Sequence, residues 1–279
     1  LTVAQVDDFD DGNDEGWSRL APLAADGVTA TFSFPDGGYR LQSAANTVSD
    51  ALGPPRMGSL REDVNYTDFY IAVDIKADPS IDQNIGLLAR VKEPGLGSLD
   101  GYAVTWNPSE SAMFMTVITD EDGENIADGE VFVPDGENVR MVFQGKGNDL
   151  KLEIFSLADP LTPLATLERF DATYSSGICG IFHVSDPIDA PTDSTFDNYF
   201  AAAAEPSEFE IVDVRVAGDD LEIEFLSKTG RTYAADESEG DGMWNEIDDG
   251  IVGSLGDRTV FTIPFAEGQT RLYRIRALE

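Results

Sequence analysis

The strongest constraint on this chain is a two-residue alternation of apolar and polar side chains, cut at short intervals by turn residues. Phe69-Tyr70-Ile71-Ala72-Val73-Asp74-Ile75 is the clearest run. In a strand, successive side chains point to opposite faces, so such a run buries one face and leaves the other for water or a second layer. Similar runs span Ile85 to Val91, Tyr102 to Trp106, Met113 to Ile118, Val139 to Phe143, Leu150 to Phe155 and Ile178 to Val184. Between them stand Pro35-Asp36-Gly37-Gly38, Glu93-Pro94-Gly95-Leu96-Gly97, Asp120-Glu121-Asp122-Gly123, Pro134-Asp135-Gly136 and Gly147-Asn148-Asp149. These clusters combine the residues that turns need: Gly for positive φ, Pro for a preset φ, and Asp or Asn to bond their own backbone. No stretch sustains a 3.6-residue period. The pattern predicts an all-β chain, built as a sandwich or barrel.

At 279 residues the chain is long enough for one large domain or two unequal ones. Ala201-Ala202-Ala203-Ala204-Glu205-Pro206-Ser207-Glu208 breaks the alternation, and Pro206 stops any helix the alanines begin. This places a domain over residues 1–204, a linker at 205–208 and a small β domain over 209–279, with strands at Phe209 to Val216, Leu221 to Leu226, Arg231 to Ala235, Thr259 to Ile263 and Arg271 to Ile275.

The net charge of −35, from 53 acidic and 18 basic side chains, excludes whole classes of partner. Such a surface repels phosphate backbones and anionic headgroups, so neither nucleic acid nor electrostatic membrane attachment is expected. No apolar run approaches the roughly 20 residues of a membrane span, so no membrane insertion is expected. The excess is about one negative charge per eight residues on both sides of the linker. It is a skin suited to salty or calcium-rich surroundings, or a cation-binding surface. The single cysteine, Cys179, stands in an apolar run and is expected in the core. The chain starts at Leu1, which suggests a secreted protein whose signal has been removed.

Asp7-Asp8-Phe9-Asp10-Asp11-Gly12-Asn13 with Gly16-Trp17, and Phe196-Asp197-Asn198-Tyr199-Phe200 near the end of the same domain, resemble the concanavalin A-like lectin/glucanase (LamG-like) jelly roll. Arg56 to Arg61, Tyr66 to Tyr70, Gly86 to Arg90 and Asp100-Gly101-Tyr102 are similar to secreted planctomycete and verrucomicrobial proteins of that fold. The tail Gly230-Arg231-Thr232-Tyr233 with Trp244 and Tyr273-Arg274-Ile275-Arg276 is similar to a small β module that closes many of them. The resemblance implies that the first and last strands of the jelly roll lie side by side. It also implies a structural Ca2+ held by Asp8, Asp10 and Asp197.

The residues themselves allow the calcium. Asp7, Asp8, Asp10, Asp11, Asn13 and Asp14 offer hard oxygen ligands densely, although not at EF-hand spacing. The bland alternative is a solvated acidic turn. Alternation would bury Phe9 and present Asp8 and Asp10 together. Catalysis has less support. The Glu-x-Asp-x-x-Glu strand of glucanases is absent, and no Gly-x-Ser-x-Gly elbow accompanies His183, the single imidazole. Two catalytic options remain: a glycosidase pair of carboxylates brought together from different strands, and a lyase-like grouping of His183, Arg90 and Tyr102, for which a strand histidine on the outer face is the bland reading. Glu222-Ile223-Glu224 reads as an outward strand face.

Binding is the preferred function, because the fold that the resemblance implies often recognises glycans. Tyr102, Val104 and Trp106 share one strand face, Phe114 lies close by in sequence, and aromatic faces stack on the apolar C–H faces of sugars. A sandwich core explains the same pattern. Arg56, Arg61 and Arg90 stand out in so acidic a chain, either to grip an acidic glycan or to pair with carboxylates. The expected glycan-binding residues are Tyr102, Trp106, Arg90 and His183. A third option is assembly, in which the apolar start Leu1-Thr2-Val3-Ala4-Gln5-Val6 adds to the sheet edge of another copy. The expectation is therefore a non-catalytic, calcium-stabilised, extracellular or cell-surface protein that binds a polysaccharide. The alternative is a homopolymeric filament or surface-layer subunit.

Overall fold

The computed structural model describes residues 4–134, 136–204, 211–218, 220–228, 230–240, 243–254, 258–264 and 271–278. They form antiparallel sheets in two compact units, Leu1–Ala158 with Thr162–Glu205, and Asp159–Leu161 with Pro206–Glu279. The only helical pieces among the described residues are 3₁₀ turns at Ala24–Asp26, Pro35–Gly37 and Asp50–Leu52. None of these is long and apolar enough to cross a membrane. The all-β expectation holds.

The larger unit stacks two sheets. The strands in chain order are β1 (Gln5–Asp7), β2 (Ser18–Leu20), β3 (Ala30–Ser33), β4 (Tyr39–Ser43), β5 (Arg56–Tyr66), β6 (Phe69–Ala77), β7 (Gln83–Lys92) and β8 (Asp100–Asn107). They continue with β9 (Ala112–Thr119), β10 (Asp122–Glu130), β11 (Val139–Lys146), β12 (Asp149–Ser156), β13 (Asp159–Phe170, of which the first three residues are counted with the smaller unit), β14 (Gly177–Ser185) and β15 (Thr192–Ala202). One sheet runs β13-β12-β11-β6-β15-β4-β3, with β1 also on β15; the other runs β10-β9-β8-β7-β14-β5-β2. First and last strands are neighbours, Val6 facing Phe200 and Asp7 facing Tyr199.

Alternation explains the core between the sheets. Ile71, Val73 and Ile75 from β6 and Met141 and Phe143 from β11 meet Ile85, Leu87, Tyr102, Val104, Met115 and Ile181 from the other sheet. Cys179 lies in this core, fully buried, where burial pushes its thiol up to about 12. Trp17, Phe9, Tyr39 and Tyr199 close one region of it, with Trp17 and Tyr199 centroids 4.7 Å apart. Arg140 on β11 and Asp74 on β6 are both buried and bonded at 2.7 Å.

One local reading changes. The hairpin at Asp120-Glu121-Asp122-Gly123 turns on Asp120 and Glu121 alone, both at positive φ, and β10 resumes at Asp122 opposite Thr119. Such two-residue turns match the twist of the flanking strands. Residues 5–7 pair with β15 of their own chain, as the first strand of this unit. Leu1–Val3 and the expected linker 205–208 lie outside the described residues.

The smaller unit pairs two three-stranded sheets. Its strands are β16 (Ile211–Ala217), β17 (Asp220–Leu226), β18 (Thr232–Ser238), β19 (Asn245–Val252), β20 (Arg258–Pro264) and β21 (Leu272–Ala277), ordered β16-β17-β20 and β19-β18-β21. Ile223, Phe225, Tyr233, Ala235, Ile251, Phe261 and Ile275 form its core. Glu222 and Glu224 point outward onto Arg215, as the sequence predicts.

Candidate functional site

Four residues expected to bind a glycan lie inside the larger unit. Tyr102 is fully buried, and its hydroxyl donates to Asp171 Oδ1 at 2.6 Å and accepts from the Tyr174 amide. Trp106 is 5% exposed and shares the same core cluster. His183 is fully buried; its Nδ1 pairs with Ser194 Oγ at 2.6 Å and its Nε2 with Thr192 Oγ1 at 2.9 Å. Burial holds this imidazole neutral, its pKa lowered to about 3. Arg90 belongs by alternation to the outer face, but a bulge between Ala89 and Lys92 turns it inward. There it donates to the Thr67, Tyr174 and Gly147 carbonyls and lies 5.2 Å from the Phe69 ring centroid. Arg90 and Tyr102 are therefore neighbours, but His183 is bonded elsewhere, and all four side chains are buried. Tyr102 and Trp106 share a strand face, as the alternation predicts, and that face is turned to the core.

The face that does open to solvent belongs to the same sheet. A groove of about 500 Å³ runs over the outer side of β14, β7, β8 and β9. Its centre is a single cross-strand row: Phe182 opposite Gly86, Gly86 opposite Thr105, and Thr105 opposite Phe114. Opposed residues in a ladder share a face, and strands lie about 4.8 Å apart, so the two rings stand roughly 14 Å apart across a low floor. Gly86 keeps that floor low, because a Cβ there would overlap the Val104 carbonyl oxygen. The next row continues the floor with Leu88, Ala103 and Thr116, and Thr116 bonds Asn125 at 2.7 Å.

Polar side chains stand at the rim. Arg56 Nε donates to Glu121 Oε1 at 2.6 Å, Arg56 Nη1 donates to the Leu52 and Pro54 carbonyls, and Glu121 Oε2 accepts from the Gly97 amide. Asn84 donates to Asp186, and both line the groove. Asp186 also approaches Asp82 and Glu110, each offering one carboxylate oxygen, all within 4.8 Å of one another. Their loops are far apart in sequence, and no local motif announced them.

The expected calcium residues are placed as follows. Phe9 is buried with Asp8 and Asp10 exposed on either side, as expected, although through a left-handed Phe9 (φ 55°) held by Asp7 and not through a strand. Asp8 accepts from the Asp10 amide within its own turn. Asp197 is half-buried opposite Asp74; burial raises its pKa, and the carboxylates of Asp74 and Asp10 add to the rise. Lys76 is its cationic neighbour at 3.7 Å. Asp10 and Asp197 are close enough to repel each other.

No family model matches the chain, and no curated protein matches it. Solved structures do share the fold. A native glycosidic hydrolase is 10% identical, covering 74% of this chain and 99% of its own, with a TM-score of 0.50. A carbohydrate-binding module from Bacillus subtilis is 16% identical over 66% of this chain and 93% of its own, with a TM-score of 0.48. A basic winged bean lectin solved with Tn-antigen is 10% identical over 72% and 98%, with a TM-score of 0.47. The fold is a lectin-like jelly-roll sandwich.

Proposed function

We propose that this chain is a non-catalytic carbohydrate-binding protein whose ligand lies along the outer groove of the β10-β9-β8-β7-β14-β5-β2 sheet. The row Phe182–Gly86–Thr105–Phe114 carries the proposal. Two half-buried aromatic rings flank a floor of small residues, with amides, hydroxyls and carboxylates at the rim. Sugar rings ask for this combination, because their C–H faces stack on aromatic rings and their hydroxyls bond polar groups fixed at the edge. Hydrolysis is the competing class, since fold alone does not decide activity. Of the carboxylates that line the groove, Glu121 is committed to Arg56 and the Gly97 amide, so any acid/base pair would come from Asp186 with its neighbours Asp82 and Glu110. Retention on an immobilised polysaccharide array, with reducing ends assayed in parallel, tests both classes. Binding without released ends supports the proposal, and released ends reverse it.

The proposal extends to a structural calcium at the junction of first and last strands. The half-buried Asp197 carboxylate stands beside two other carboxylates, and Gly37, where a Cβ would overlap Asp10 Oδ1, leaves that oxygen room. Asp10 and Asp197 would hold the ion, whose charge would offset their repulsion. The place of action proposed is outside the cell or on its surface, where a uniformly acidic skin keeps a protein soluble among salts.

A further inference from the structure

We infer that the groove selects uncharged glycan chains and rejects those bearing carboxylate or sulfate groups, an inference that rests on the reading of the groove as a glycan site. Sites that bind anions present an unpaired cation, most often an arginine whose planar fork grips the anion. Three charged side chains line this groove: Arg56, Glu121 and Asp186. Arg56 is already paired with Glu121 at 2.6 Å and anchored on two carbonyls through Nη1, and Glu121 is held in turn by the Gly97 amide. The pair carries no net charge, and its geometry is fixed from both sides.

At the other end, Asp186 brings the negative charge of Asp82 and Glu110 with it. An arriving carboxylate or sulfate therefore meets a net negative lining. At Arg56 it meets a guanidinium whose charge Glu121 already offsets, and a two-pronged grip through Nε would require Glu121 to leave. The other arginines that stand out in the sequence do not help. Arg61 pairs with Asp63 and lies 5.6 Å from the Trp17 ring centroid, and Arg90 is buried on carbonyls. For a neutral chain the same lining is favourable. Carboxylates such as Asp186 accept strongly from hydroxyls, and Asn84, Asn125, Thr105 and Thr116 both donate and accept.

The experiment measures binding of the full chain to matched polymers, dextran against dextran sulfate and hydroxyethyl-cellulose against carboxymethyl-cellulose. Neutral mannan, galactan and fructan are run beside alginate, pectate and hyaluronan. Each is measured near 0.15 M and 1 M salt, where the screening length is about 8 Å and about 3 Å, so that repulsion by the whole acidic surface is removed in the second condition. The expected result is a neutral polymer bound at least about tenfold more tightly than any anionic one at both salt levels. Glu121→Gln, which frees Arg56, and Asp186→Asn should each narrow that ratio. An anionic polymer bound as tightly as a neutral one overturns the selectivity; if Phe114→Ala abolishes that binding, the glycan site itself still stands. Discrimination that disappears at 1 M salt, or that both variants leave unchanged, also overturns it. Retention of none of these polymers overturns the glycan reading and the selectivity together.

Discussion

Phe182 and Phe114 stand in one cross-strand row, three strands apart, with only Gly86 and Thr105 between them. The ladder fixes this spacing, so both rings can address one ligand without rearrangement. Phe114 is half-buried, and its loss leaves the inward core of β9, Met113 and Met115, in place. Phe114→Ala should weaken polysaccharide binding about two- to tenfold, on the order of the 0.5–1.5 kcal/mol of an aromatic contact, while changing the melting temperature little. Isothermal titration beside thermal denaturation checks both. Full affinity in the variant would move the ligand elsewhere.

Trp106→Ala should behave in the opposite way. The side chain fills the core between the sheets, and its removal should cost about 3–5 kcal/mol of folding stability. Denaturant unfolding measures that cost. Binding by whatever fraction remains folded should be close to wild type, because Trp106 lies on the face away from the groove.

His183 should make stability depend on acid pH. The unfolded chain binds a proton on this imidazole below its ordinary value of 6.5, whereas the buried ring does so only near pH 3. Between these values protonation favours the unfolded state. The contribution is thus complete above 6.5 and declines as pH falls toward 3. The stability difference between wild type and His183→Gln should shrink by about 1.4 kcal/mol per pH unit across the middle of that window. Urea titrations at pH 4, 5, 6 and 7 would show it, and a difference independent of pH would contradict the buried neutral ring.

Millimolar calcium should raise the melting temperature and chelation should reverse the rise. Saturation at about a hundred times Kd stabilises by about 2.7 kcal/mol, on the order of 5–10 °C for a unit of this size. Asp10→Asn and Asp197→Asn should each abolish the shift, and Asp8→Asn should leave most of it, since Asp8 bonds within its own turn. A melting temperature indifferent to calcium would remove the ion from the account.

Much of the fold was legible because its central strands are long and buried on at least one face. The run Phe69 to Ile75 and the run Val139 to Phe143 pair residue for residue in the finished sheet. The strands that escaped notice are mostly edges. β10, Asp-Gly-Glu-Asn-Ile-Ala-Asp-Gly-Glu, is acidic and largely exposed, so nothing in its pattern separates a strand from a turn. The candidate site was less legible. Tyr102 and Trp106 were recognised as one face of a strand, but alternation is symmetric and does not say which face meets the second sheet.

The sequence by itself determined the strand period, the turns and a surface charge hostile to polyanions. Each follows from local chemistry or from summed charge. Only the tertiary structure decided that Ala103 and Thr105 face the groove while Tyr102 and Trp106 face the core. It also decided that a bulge turns Arg90 inward, and that Asp82, Glu110 and Asp186 meet from three separate loops. The physical reason is that a strand's two faces become different only when another sheet packs on one of them. That contact is made by residues distant in sequence, and no local pattern encodes it.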